Sequence, residues 1–473
     1  MNLKEKIDRP IFHNVGKAAD NLGVDCYAVG GYVRDLFLDR HSKDIDFVVV
    51  GSGIEVAKEL ARIIPDKRTK VNVFKNFGTA QTVVNGEELE FVGARKESYN
   101  RDSRKPIVED GTLDDDLSRR DFTINALAVK VNGEGFGELI DKFGGLEDMD
   151  RKVIRATGNP DVIFSDDPLR MLRAIRFATQ LRFSIDYTTF EGIKKNAGRI
   201  KIISGERIYV ELTKIMQTSR PSIGWMLLEE SGLLKLILPE LENLKGVDTV
   251  AGRGHKDNFI HTLQVLDKTA GRSEDIWLRW AALFHDIGLA STKKWIDNIG
   301  WTFHNHNIVG GYMVPKIFRR LKFPMDEKMK FVRKLVELHM RPIALVEDYV
   351  TDSAVRRLIV DAGEDLDSLM ILCEADITSK NSAKVARFLE NYQIVRQKII
   401  ELDKKDELRK YQPPVDGNEI MEIFNLPQSK AVGELKTYVR EKLLDSETPN
   451  DRELALRLLF EKASELGLEP VKK

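Results

Sequence analysis

The spacing of apolar positions changes near residue 150 of this chain. Before that point, short apolar runs of strand length alternate with segments whose apolar residues recur at helical spacing. The pattern predicts strands at Asp25–Val29, Asp44–Val50, Thr79–Val84 and Leu89–Gly93, and helices at Gly31–Leu38 and Ile54–Ile64. The last two strands are separated by a turn that begins with Asn85-Gly86, a pair typical of tight hairpins. We therefore expect the first 150 residues to mix helices and strands.

After Asp150 the pattern is helical to the end of the chain. In Pro168–Leu181, for example, the apolar residues fall on one helical face. Pro413-Pro414 interrupts this pattern, because proline cannot continue a helix, and we place a tail boundary near it. The stretch Arg95–Ser118 is highly charged with few apolar residues, and we expect it to be a mobile loop.

Length and composition place the chain among multidomain globular proteins. Its 473 residues exceed what one core supports, so two to four domains are expected, and the balance of 42% hydrophobic and 32% charged residues is typical of a soluble protein. No apolar run approaches the roughly 20 residues that span a bilayer, and the N-terminal Met1–Lys6 is polar. The two cysteines, Cys26 and Cys373, are far apart, which indicates a reducing compartment. We expect a cytoplasmic protein.

Charge is distributed unevenly along the chain. The formal net charge is −1, yet residues 151–220 hold 14 Lys and Arg against 7 Asp and Glu. A nearly neutral protein can bind one folded RNA through such a concentrated basic region. The same composition also fits a helical region with ordinary surface lysines.

The most informative motif is Asp44-x-Asp46, which follows the turn Gly30–Asp35 and continues into an apolar strand. Alternation along a strand points residues i and i+2 to the same face, so both carboxylates can hold the same pair of divalent ions. Gly30 and Gly31 let backbone amides approach phosphate oxygens, the helix that they open adds its positive end, and Arg34 adds charge. The motif therefore favours metal-assisted nucleotidyl transfer over a solvated acidic strand end.

Two further clusters carry groups that recognise nucleotides. In Arg119–Ala126, the arginines Arg119 and Arg120 can neutralise phosphate, and Asp121 can accept from a ribose hydroxyl; a surface ion-pair cluster is the alternative. In Asp166–Arg170, Asp167 and Arg170 lie three residues apart, and on one helical face they would present a hydrogen-bonding edge to a base. A plain acidic helix cap before Pro168 is the alternative.

Together these segments resemble the class II tRNA nucleotidyltransferases, which are the CCA-adding enzymes, and the related bacterial poly(A) polymerases. The matching motifs are Gly30–Asp35 with Asp44-x-Asp46, Arg119–Ala126, Asp141–Gly145 with Asp148, and Asp166–Arg176. The resemblance implies an α+β fold class: a polymerase-β-like nucleotidyltransferase head followed by an all-helical neck, body, HD domain and tail. We expect the head at 1–150, the neck and body for nucleotide selection and tRNA binding at 151–245, the HD domain at 246–400 and the tail at 401–473.

The resemblance also assigns roles. It implies that Asp44 and Asp46 bind two Mg²⁺ and are catalytic, with Glu90 as a third carboxylate. It implies that the nucleotide is bound by Gly30, Gly31, Arg34, Arg119, Arg120, Asp121, Asn125, Asp167, Arg170 and Arg173. The matching Asp167 and Arg170 would select C and then A, and Asp141–Gly145 would be a hinge. The family often has Glu where this chain has Asp166. The segment Gly417–Leu426 with Gly433, Leu435 and Asn450 loosely resembles the family's tail, and a generic helical bundle is the alternative.

Six of the eight histidines lie between His255 and His339. The order His261, His285-Asp286, His306, His339 and Asp376 resembles the HD metal-dependent phosphohydrolases. Imidazole and carboxylate ligands suit Mn²⁺, Co²⁺, Ni²⁺ or Fe²⁺, and two such ions can activate water on a phosphoester. A purely structural cluster is the alternative. His255 and His304 fit the order less well, and we expect them at the surface or beside the ligands.

The expected function is the addition of CCA to tRNA 3′ ends from CTP and ATP, without a nucleic-acid template. CC-only or A-only addition and poly(A) synthesis are alternatives with the same chemistry; by resemblance the long stretch Arg95–Ser118 favours the full reaction over CC-only addition. Two alternatives come from other functional classes: an HD phosphohydrolase with an RNA-binding head, and a non-catalytic RNA-binding protein. The intact Asp44 and Asp46 pair argues against both. No membrane partner is expected, and the sequence does not indicate an oligomeric state.

Overall fold

The computed structural model describes residues 1–64, 69–75, 78–98, 107–250, 253–254, 257–347, 351–378, 382–406, 408, 411–446 and 448–471. The chain forms two compact units. The first contains residues 1–218 and 223–237, and the second contains residues 219–222 and 238–473. The four-part division expected from the sequence is finer than this and stays a prediction.

The first unit mixes helices and strands. Its helices are α1 (Lys4–Ile7), α2 (Pro10–Leu22), α3 (Gly31–Phe37), α4 (Gly53–Ile63), α5 (Leu113–Ser118), α6 (Gly145–Asp150), α7 (Pro160–Asp166), α8 (Leu169–Leu181), α9 (Tyr187–Asn196), α10 (Gly205–Met216), α11 (Ser222–Glu230) and α12 (Leu233–Ile237). Its strands are β1 (Cys26–Val29), β2 (Asp44–Val49), β3 (Val71–Phe74), β4 (Thr79–Val84), β5 (Glu87–Gly93), β6 (Arg95–Ser98), β7 (Ile107–Asp110), β8 (Leu127–Lys130), β9 (Leu139–Asp141), β10 (Val153–Ile154) and β11 (Ser184–Ile185).

A seven-stranded sheet organises the head of this unit, with the strand order β3-β4-β5-β2-β1-β8-β9. Strands β2 and β5 pair in parallel, and the other neighbours are antiparallel. The hairpin β4–β5 turns at Asn85 and Gly86, which both have positive φ angles of 51° and 83° and confirm the predicted turn. The acidic strand β2 therefore lies at the centre of the sheet.

The two faces of the sheet are covered differently. Phe47 of β2 stacks on Phe91 of β5 with ring centres 5.0 Å apart and contacts Phe12 of α2, so this face carries a helix-covered aromatic core. On the opposite face, Val48 packs in a smaller cluster with Val29. Because side chains alternate along a strand, Asp44 and Asp46 share the face of Val48. The helices that cover the aromatic face hold β2 in place while its acidic end stays accessible.

Helix α8 links the sheet to the helical part of the first unit. Its residues Leu172, Ile175 and Ala178 are fully buried, and its aromatic Phe177 meets Phe122 edge to face with ring centres 5.9 Å apart. The helix packs against α10. Its polar side, with Arg170 and Arg173, is only partly buried.

Within its described residues, the second unit is helical apart from two short hairpins. Its elements are α13 (Pro239–Glu242), β12 (Thr249–Val250), β13 (Arg253–Gly254), α14 (Asn258–Ala270), α15 (Ile276–Phe284), α16 (Leu289–Thr292), β14 (Lys294–Ile296), β15 (Gly300–Thr302), α17 (His306–Arg320), α18 (Glu327–Leu338), α19 (Met340–Glu347), α20 (Asp352–Ala362), α21 (Leu366–Asp376), α22 (Ser382–Asp406), α23 (Gly417–Phe424), α24 (Lys430–Asp445) and α25 (Arg452–Glu465).

Helix α15 is the centre of this unit. All residues from Leu278 to Phe284 are buried, and the helix packs against α14, α18 and α21. A helix that is apolar on every side must be enclosed by others. Helices α23, α24 and α25 share a separate core that includes Phe424, Leu435 and Leu459, so they form a small bundle of their own. Among the described residues, no helix is long and apolar enough to cross a bilayer.

Two expectations from the sequence were wrong in detail. The charged stretch Arg95–Ser118 is not simply a loop: β6 and β7 pair in antiparallel fashion and α5 follows, although residues 99–106 lie outside the described part. Opposite charges face each other across the hairpin, as in Lys96 and Glu109, and Thr112 with Asp115 forms a capping box for α5. The region after Asp150 is not wholly helical either, because it contains β10 to β15.

Candidate active site and metal centre

The turn Gly30–Asp35, called the glycine turn below, brings backbone atoms close to charged side chains. Gly30 has a positive φ of 72°, and a Cβ atom at this residue would lie 2.9 Å from Nη1 of Arg120 and 3.8 Å from Oδ2 of Asp46. Glycine adopts such a φ without steric cost and leaves room for the guanidinium. The turn thus brings the backbone of α3, the Asp46 carboxylate and Arg120 to one place.

Three carboxylates share the accessible face of the sheet. Asp44 and Asp46 project from β2, whereas the intervening Ile45 is buried, and parallel pairing sets Glu90 of β5 beside Asp46. Enclosure by protein atoms raises the pKa of Asp46; the charge of Arg120 opposes this, and the like charge of Asp44 adds to it. Burial and the negative charge of Asp46 also raise the pKa of Glu90. This concentration of negative charge favours a divalent cation.

Within the described part of the chain, Asp44 and Asp46 do not form a metal site in which protein side chains supply every ligand. Among the described residues, the groups with three ligand atoms within 4.8 Å of one another include neither Asp44 nor Asp46. Mg²⁺ is usually held by one or two carboxylates, with water and substrate phosphates completing its shell. The pair Asp44 and Asp46 fits that type of shared site, and their role as Mg²⁺ ligands stays a prediction.

Asp116 orients Arg119 and Arg120, the two arginines of the segment Arg119–Ala126, which is called the second motif below. Its side chain is fully buried, and its Oδ2 accepts from Nη2 of Arg120 at 3.1 Å while its Oδ1 accepts from Nε of Arg119 at 3.0 Å. The ion-pair cluster that the sequence analysis gave as the alternative to phosphate binding is therefore present in part, because both arginines pair with Asp116. Both guanidiniums nevertheless line the cleft described below, so the ion pairs orient them there. Asp116 was not identified from the sequence, where it stands among Asp114 and Asp115 without a distinguishing signal.

Asp121 is the centre of a second network. Its Oδ2 accepts from Nε of Arg173 at 2.6 Å, and its Oδ1 accepts from the side-chain nitrogen of Asn125 at 3.1 Å. Although burial opposes ionisation, Arg173 with Asn125 and Arg170 lowers the pKa of Asp121 to about 2. Asn125 in turn accepts from Nη1 of Arg34 at 2.8 Å. These contacts join the glycine turn, the second motif and α8.

The placement of Asp167 corrects one expectation. Asp167 does not share a helical face with Arg170, because it lies outside regular helix between α7 and α8. Its Oδ1 accepts from the backbone nitrogen of Leu169 at 3.2 Å, which is the capping role weighed as an alternative. Arg170 donates from Nη2 to the carbonyl oxygen of Arg119 at 2.7 Å. Asp166, two residues before Pro168, has a pKa that partial burial raises.

All ten predicted nucleotide-binding residues line a single open cleft of about 660 Å³, together with Asp46. Its walls carry seven arginines and one lysine against four acidic side chains. This positive excess suits an anion such as a triphosphate. Asp44 is not among the lining residues. The structure thus brings the predicted residues together, while their individual roles stay predictions.

The sequence analysis missed one wall of the cleft and its aromatic support. Residues Arg207, Val210, Glu211 and Lys214 of α10 form the missed wall, and their spacing of three to four residues along one helix was the available signal. Phe177 of α8 supports the arginines: the guanidinium carbons of Arg34, Arg173 and Arg176 lie 5.1, 5.4 and 4.1 Å from its ring centre. Cation–π attraction to this ring therefore adds to the ion pairs that Arg34, Arg173 and Arg176 make with Asp35, Asp121 and Glu211.

Asp141–Gly145 has a structural role in the first unit. The carboxylate oxygens of Asp141 accept from the backbone nitrogens of Gly145 at 2.7 Å and Leu146 at 3.0 Å, which caps α6. A Cβ atom at Gly145 would overlap the carbonyl oxygen of Thr123, so the segment packs tightly beside the second motif. Its role as a hinge stays a prediction.

The second unit contains the predicted histidine cluster. Each ligand comes from the end or the first turns of a helix: His261 from α14, His285-Asp286 after α15, His306 from α17, His339 after α18 and Asp376 from α21. Five helices therefore converge on one point. His304 is exposed, and His255 lies outside the described residues.

Six side chains meet at this point around Asp286. One carboxylate oxygen of Asp286 lies 3.5 Å from Nε2 of His261 and 3.3 Å from Nε2 of His285. Its other oxygen lies 3.4 Å from Nε2 of His306 and 3.7 Å from Nε2 of His339. Asp376 joins through Oδ1, 2.8 Å from Nε2 of His261. Two groups of three ligands, each compact enough for one ion, thus share Asp286 as a bridge.

The imidazoles are turned so that Nε2 faces the centre. Their Nδ1 atoms contact Thr378 Oγ1 for His261 at 2.7 Å and backbone carbonyl oxygens for the other three, at 2.8 to 2.9 Å. Such partners orient metal-binding histidines. The buried Nε2 of His285 has no aligned hydrogen-bond partner among the described groups, which fits a ligand atom better than a structural one.

Comparison with known proteins identifies the family. Residues 26–155 match the poly A polymerase head domain, residues 182–245 match the probable RNA and SrmB-binding site of polymerase A, and residues 258–381 match the HD domain. An A-adding tRNA nucleotidyltransferase of Deinococcus radiodurans is 34% identical over 335 residues, 68% of this chain and 73% of that protein. This chain belongs to the tRNA nucleotidyltransferase family. The expected fold class, a polymerase-β-like head with helical parts and an HD domain, is confirmed.

Further relatives of this nucleotidyltransferase are named either for CCA addition or for A addition. A multifunctional CCA protein of Psychromonas ingrahamii is 33% identical over 63% of this chain and 71% of that protein. An A-adding tRNA nucleotidyltransferase of Aquifex aeolicus is 46% identical over 41% of this chain, but the match spans only 23% of that protein. The chain therefore spans about a quarter of the length of that relative.

Solved structures agree on the fold. The apo form of a CCA-adding enzyme matches 98% of this chain and 99% of that chain with a TM-score of 0.63 and 23% identity. A tRNA nucleotidyltransferase bound to a primer tRNA and an incoming ATP analogue matches 81% of this chain and 99% of that chain, with a TM-score of 0.54 and 28% identity.

Proposed function

We propose that this protein adds CMP, CMP and AMP to the 3′ end of tRNA from CTP and ATP without a nucleic-acid template. The observation that carries the proposal is the cleft of about 660 Å³, where Asp46 lies beside the glycine turn among seven arginines. Family membership supports the same chemistry. The basic helices α8 to α10 would contact the tRNA acceptor arm through its phosphates.

Each part of the cleft has a distinct task in this reaction. Asp44 and Asp46, with Glu90 nearby, would hold Mg²⁺, which when bound activates the tRNA 3′ hydroxyl and stabilises the pyrophosphate that leaves. Arg34, Arg119 and Arg120 would bind the triphosphate. Asp121, held ionised by Arg173, would accept from the ribose hydroxyl. Since the arginines and Asp121 are fixed by hydrogen bonds to neighbouring side chains, most of the catalysis would come from positioning and charge neutralisation.

Base selection would use the edge made by Asp167 and Arg170. Both side chains line the cleft and are anchored, Asp167 to a backbone nitrogen and Arg170 to a backbone carbonyl. An anchored side chain can present a fixed set of donors and acceptors to a base. Such a set can discriminate strongly, because a wrong base leaves buried polar groups unpaired.

Addition of A alone is the second candidate for the head. The relatives of Aquifex aeolicus and Deinococcus radiodurans are both named A-adding enzymes, whereas that of Psychromonas ingrahamii is named a CCA protein. The stretch Arg95–Ser118, whose length was expected to favour full over CC-only addition, does not bear on this alternative, and its residues 99–106 lie outside the described part.

One experiment separates these activities. tRNA transcripts that carry none, one or two of the terminal C nucleotides are incubated with Mg²⁺ and labelled CTP or ATP. Full addition extends all three transcripts, A-only addition extends only the CC-ended transcript with ATP, and poly(A) synthesis adds many adenosines. No extension of any transcript by the wild-type protein refutes nucleotidyl transfer to tRNA.

We also propose that the cluster around Asp286 binds two transition-metal ions and hydrolyses phosphoesters. Two groups of three ligands bridged by Asp286 support this, as does the match to the HD domain. Mn²⁺, Co²⁺, Ni²⁺ and Fe²⁺ suit these ligands, and when bound they activate water for attack on phosphorus. His285→Ala should abolish hydrolysis of nucleoside 2′,3′-cyclic phosphates, while Asp46→Ala should not affect it. A wild-type protein that binds metal but shows no hydrolysis limits the cluster to a structural role.

A further inference from the structure

The segment between Gly288 and His306 leaves the cluster around Asp286 and returns to it. Gly288 follows Asp286 by two residues, and a Cβ atom at Gly288 would overlap the carbonyl oxygen of His306. The two ends of the segment are therefore in contact. Between them lie α16 and the hairpin of β14 and β15. The hairpin is thus attached directly beside two of the proposed metal ligands.

This hairpin packs little against the helices of the second unit. Among the described elements its strands pack mainly against each other, with Trp295 directly opposite Trp301 and Ile296 opposite Gly300. Both tryptophans are only partly buried, and Ile296 and Ile299 near the turn are exposed. Large apolar side chains gathered on a loosely packed hairpin indicate an interaction surface.

The two tryptophans and a lysine occupy one face of the hairpin. The ring centres of Trp295 and Trp301 lie 5.4 Å apart at an angle of 73°, and the indole nitrogen of Trp295 donates to Oδ1 of Asp297 at 3.1 Å. Nζ of Lys293 lies 4.6 Å from the ring centre of Trp301 and also pairs with the exposed Asp248. Because an exposed ion pair contributes little to stability, a phosphate can compete with Asp248 for this ammonium.

We propose that the hairpin is a stacking platform for the unpaired 3′ end of an RNA whose terminal phosphoester is hydrolysed at the cluster around Asp286. Indole rings stack on any base, and a neighbouring cation attracts the phosphate backbone. Five residues separate Trp301 from His306, so their Cα atoms are at most about 18 Å apart. A short run of nucleotides spans that distance.

The inference rests on the phosphoesterase activity proposed above and assigns its class of substrate: an RNA end rather than a small phosphate ester. For an RNA that ends in a 2′,3′-cyclic phosphate, a water oxygen bonds to phosphorus and the bond from phosphorus to one ribose oxygen breaks. That oxygen takes up a proton, which leaves a phosphate monoester beside a free hydroxyl. The aromatic pair with Lys293 favours RNA over a protein partner, since this face joins stacking surfaces to a cation next to a centre that acts on phosphorus.

Steady-state hydrolysis by the full-length protein with Mn²⁺ tests the inference. One substrate is an octauridylate that ends in a 2′,3′-cyclic phosphate, and the other is glycerol 1,2-cyclic phosphate, which has a cyclic phosphate but no base. Trp295→Leu should raise KM for the RNA about tenfold, as expected for loss of one stacked base, and leave kcat unchanged. Hydrolysis of the glycerol ester should not change. Trp295→Tyr, which retains an aromatic ring, should keep most of the affinity for RNA.

Trp277→Leu is the matched control. Trp277 is also a partly buried tryptophan of the second unit with a lysine over its ring, Nζ of Lys328 at 5.4 Å, but it lies on α15. This variant should hydrolyse both substrates as the wild type does. An unchanged KM for the RNA in Trp295→Leu, or an equal rise in both tryptophan variants, overturns the inference.

A measurement without hydrolysis separates this inference from the activity on which it rests. Metal-free protein is irradiated with an octamer of 4-thiouridine that ends in the same cyclic phosphate, and the cross-linked peptides are identified by mass spectrometry. A cross-link should lie within residues 294–302 and should be lost in Trp295→Leu. Cross-links confined to the first unit overturn the inference. If the wild type hydrolyses neither substrate, the phosphoesterase proposal fails, and the cross-link still decides whether the hairpin binds RNA.

Discussion

Arg34 donates a hydrogen bond of 2.8 Å from Nη1 to the side-chain oxygen of Asn125, which lies 91 residues further along the chain. Arg34 belongs to the glycine turn and Asn125 to the second motif, so this contact joins two motifs that the sequence presents separately. The guanidinium is almost fully buried, and its orientation is also fixed by Asp35 at 2.8 Å. Loss of either anchor would free this buried guanidinium to move, and we expect that to weaken its proposed contact with a phosphate.

Removal of the Asn125 side chain tests this anchor. In Asn125→Ala, Arg34 loses its acceptor and Asp121 loses a donor, and we expect the KM for the nucleotide to rise about tenfold, equivalent to about 1.4 kcal/mol. Steady-state addition to a CC-ended tRNA at varied ATP measures it. Asn21→Ala removes an exposed contact with Glu59 and should leave KM unchanged. An unchanged KM in Asn125→Ala contradicts the proposed role of Arg34.

Asp116→Asn tests how the second motif is oriented. The buried carboxylate pairs with both Arg119 and Arg120, so the variant leaves two cations partly unpaired, with an expected cost of about 3 kcal/mol in unfolding free energy and weaker nucleotide binding. Denaturant unfolding and nucleotide titration measure the two effects. The neighbouring Asp115→Asn alters only the exposed capping box, where an Asn oxygen can still accept from Thr112, so we expect little change in unfolding and normal nucleotide binding. Equal effects of the two substitutions argue against a specific role for Asp116.

Phe177→Leu separates aromatic support from simple packing. Leucine keeps most of the volume but removes the ring that contacts three guanidiniums, so we expect nucleotide affinity to fall about tenfold while unfolding changes by less than about 1.5 kcal/mol. Phe164→Leu, in the fully buried core of α7, is the control. Its nucleotide affinity should stay normal. If the two variants bind nucleotide equally well, the ring has no role beyond packing.

Gly288→Ala tests the packing around the metal centre. A Cβ atom there would overlap the carbonyl oxygen of His306 and lie 2.8 Å from the backbone nitrogen of Gly310, so His306 must move. We expect the variant to lose Mn²⁺ binding at the half that contains His306, and the rise in melting temperature on adding Mn²⁺ should shrink. Gly433→Ala, where a Cβ meets nothing within 4 Å in α24, should instead stabilise the protein by up to about 1 kcal/mol. Full Mn²⁺ binding by Gly288→Ala contradicts the assigned role of His306.

Local patterns determined much of the head. The strand period placed Asp44 and Asp46 on one face, and Asn85-Gly86 determined a hairpin, because both depend only on neighbouring residues. The order of histidines and aspartates likewise indicated the cluster around Asp286, and the structure brings those six side chains together. The charged hairpin β6–β7 was missed, because charged residues such as Lys96 and Glu109 occupy its paired positions and hide the alternating apolar pattern of a strand.

What only the tertiary structure decided is which polar groups orient the others. Asp116 stands among three consecutive aspartates, and its burial, which makes it the support of two arginines, depends on how α5 packs. Asp167 was expected on a helical face, but the break before Pro168 places it between two helices. Thr378 follows His261 by 117 residues and carries no local signal. The sequence alone determined the central strands of the head and the chemistry of the reactive groups, since these depend on short-range spacing. The partners of those groups come from distant segments, and packing of the folded chain alone brings them within hydrogen-bonding distance.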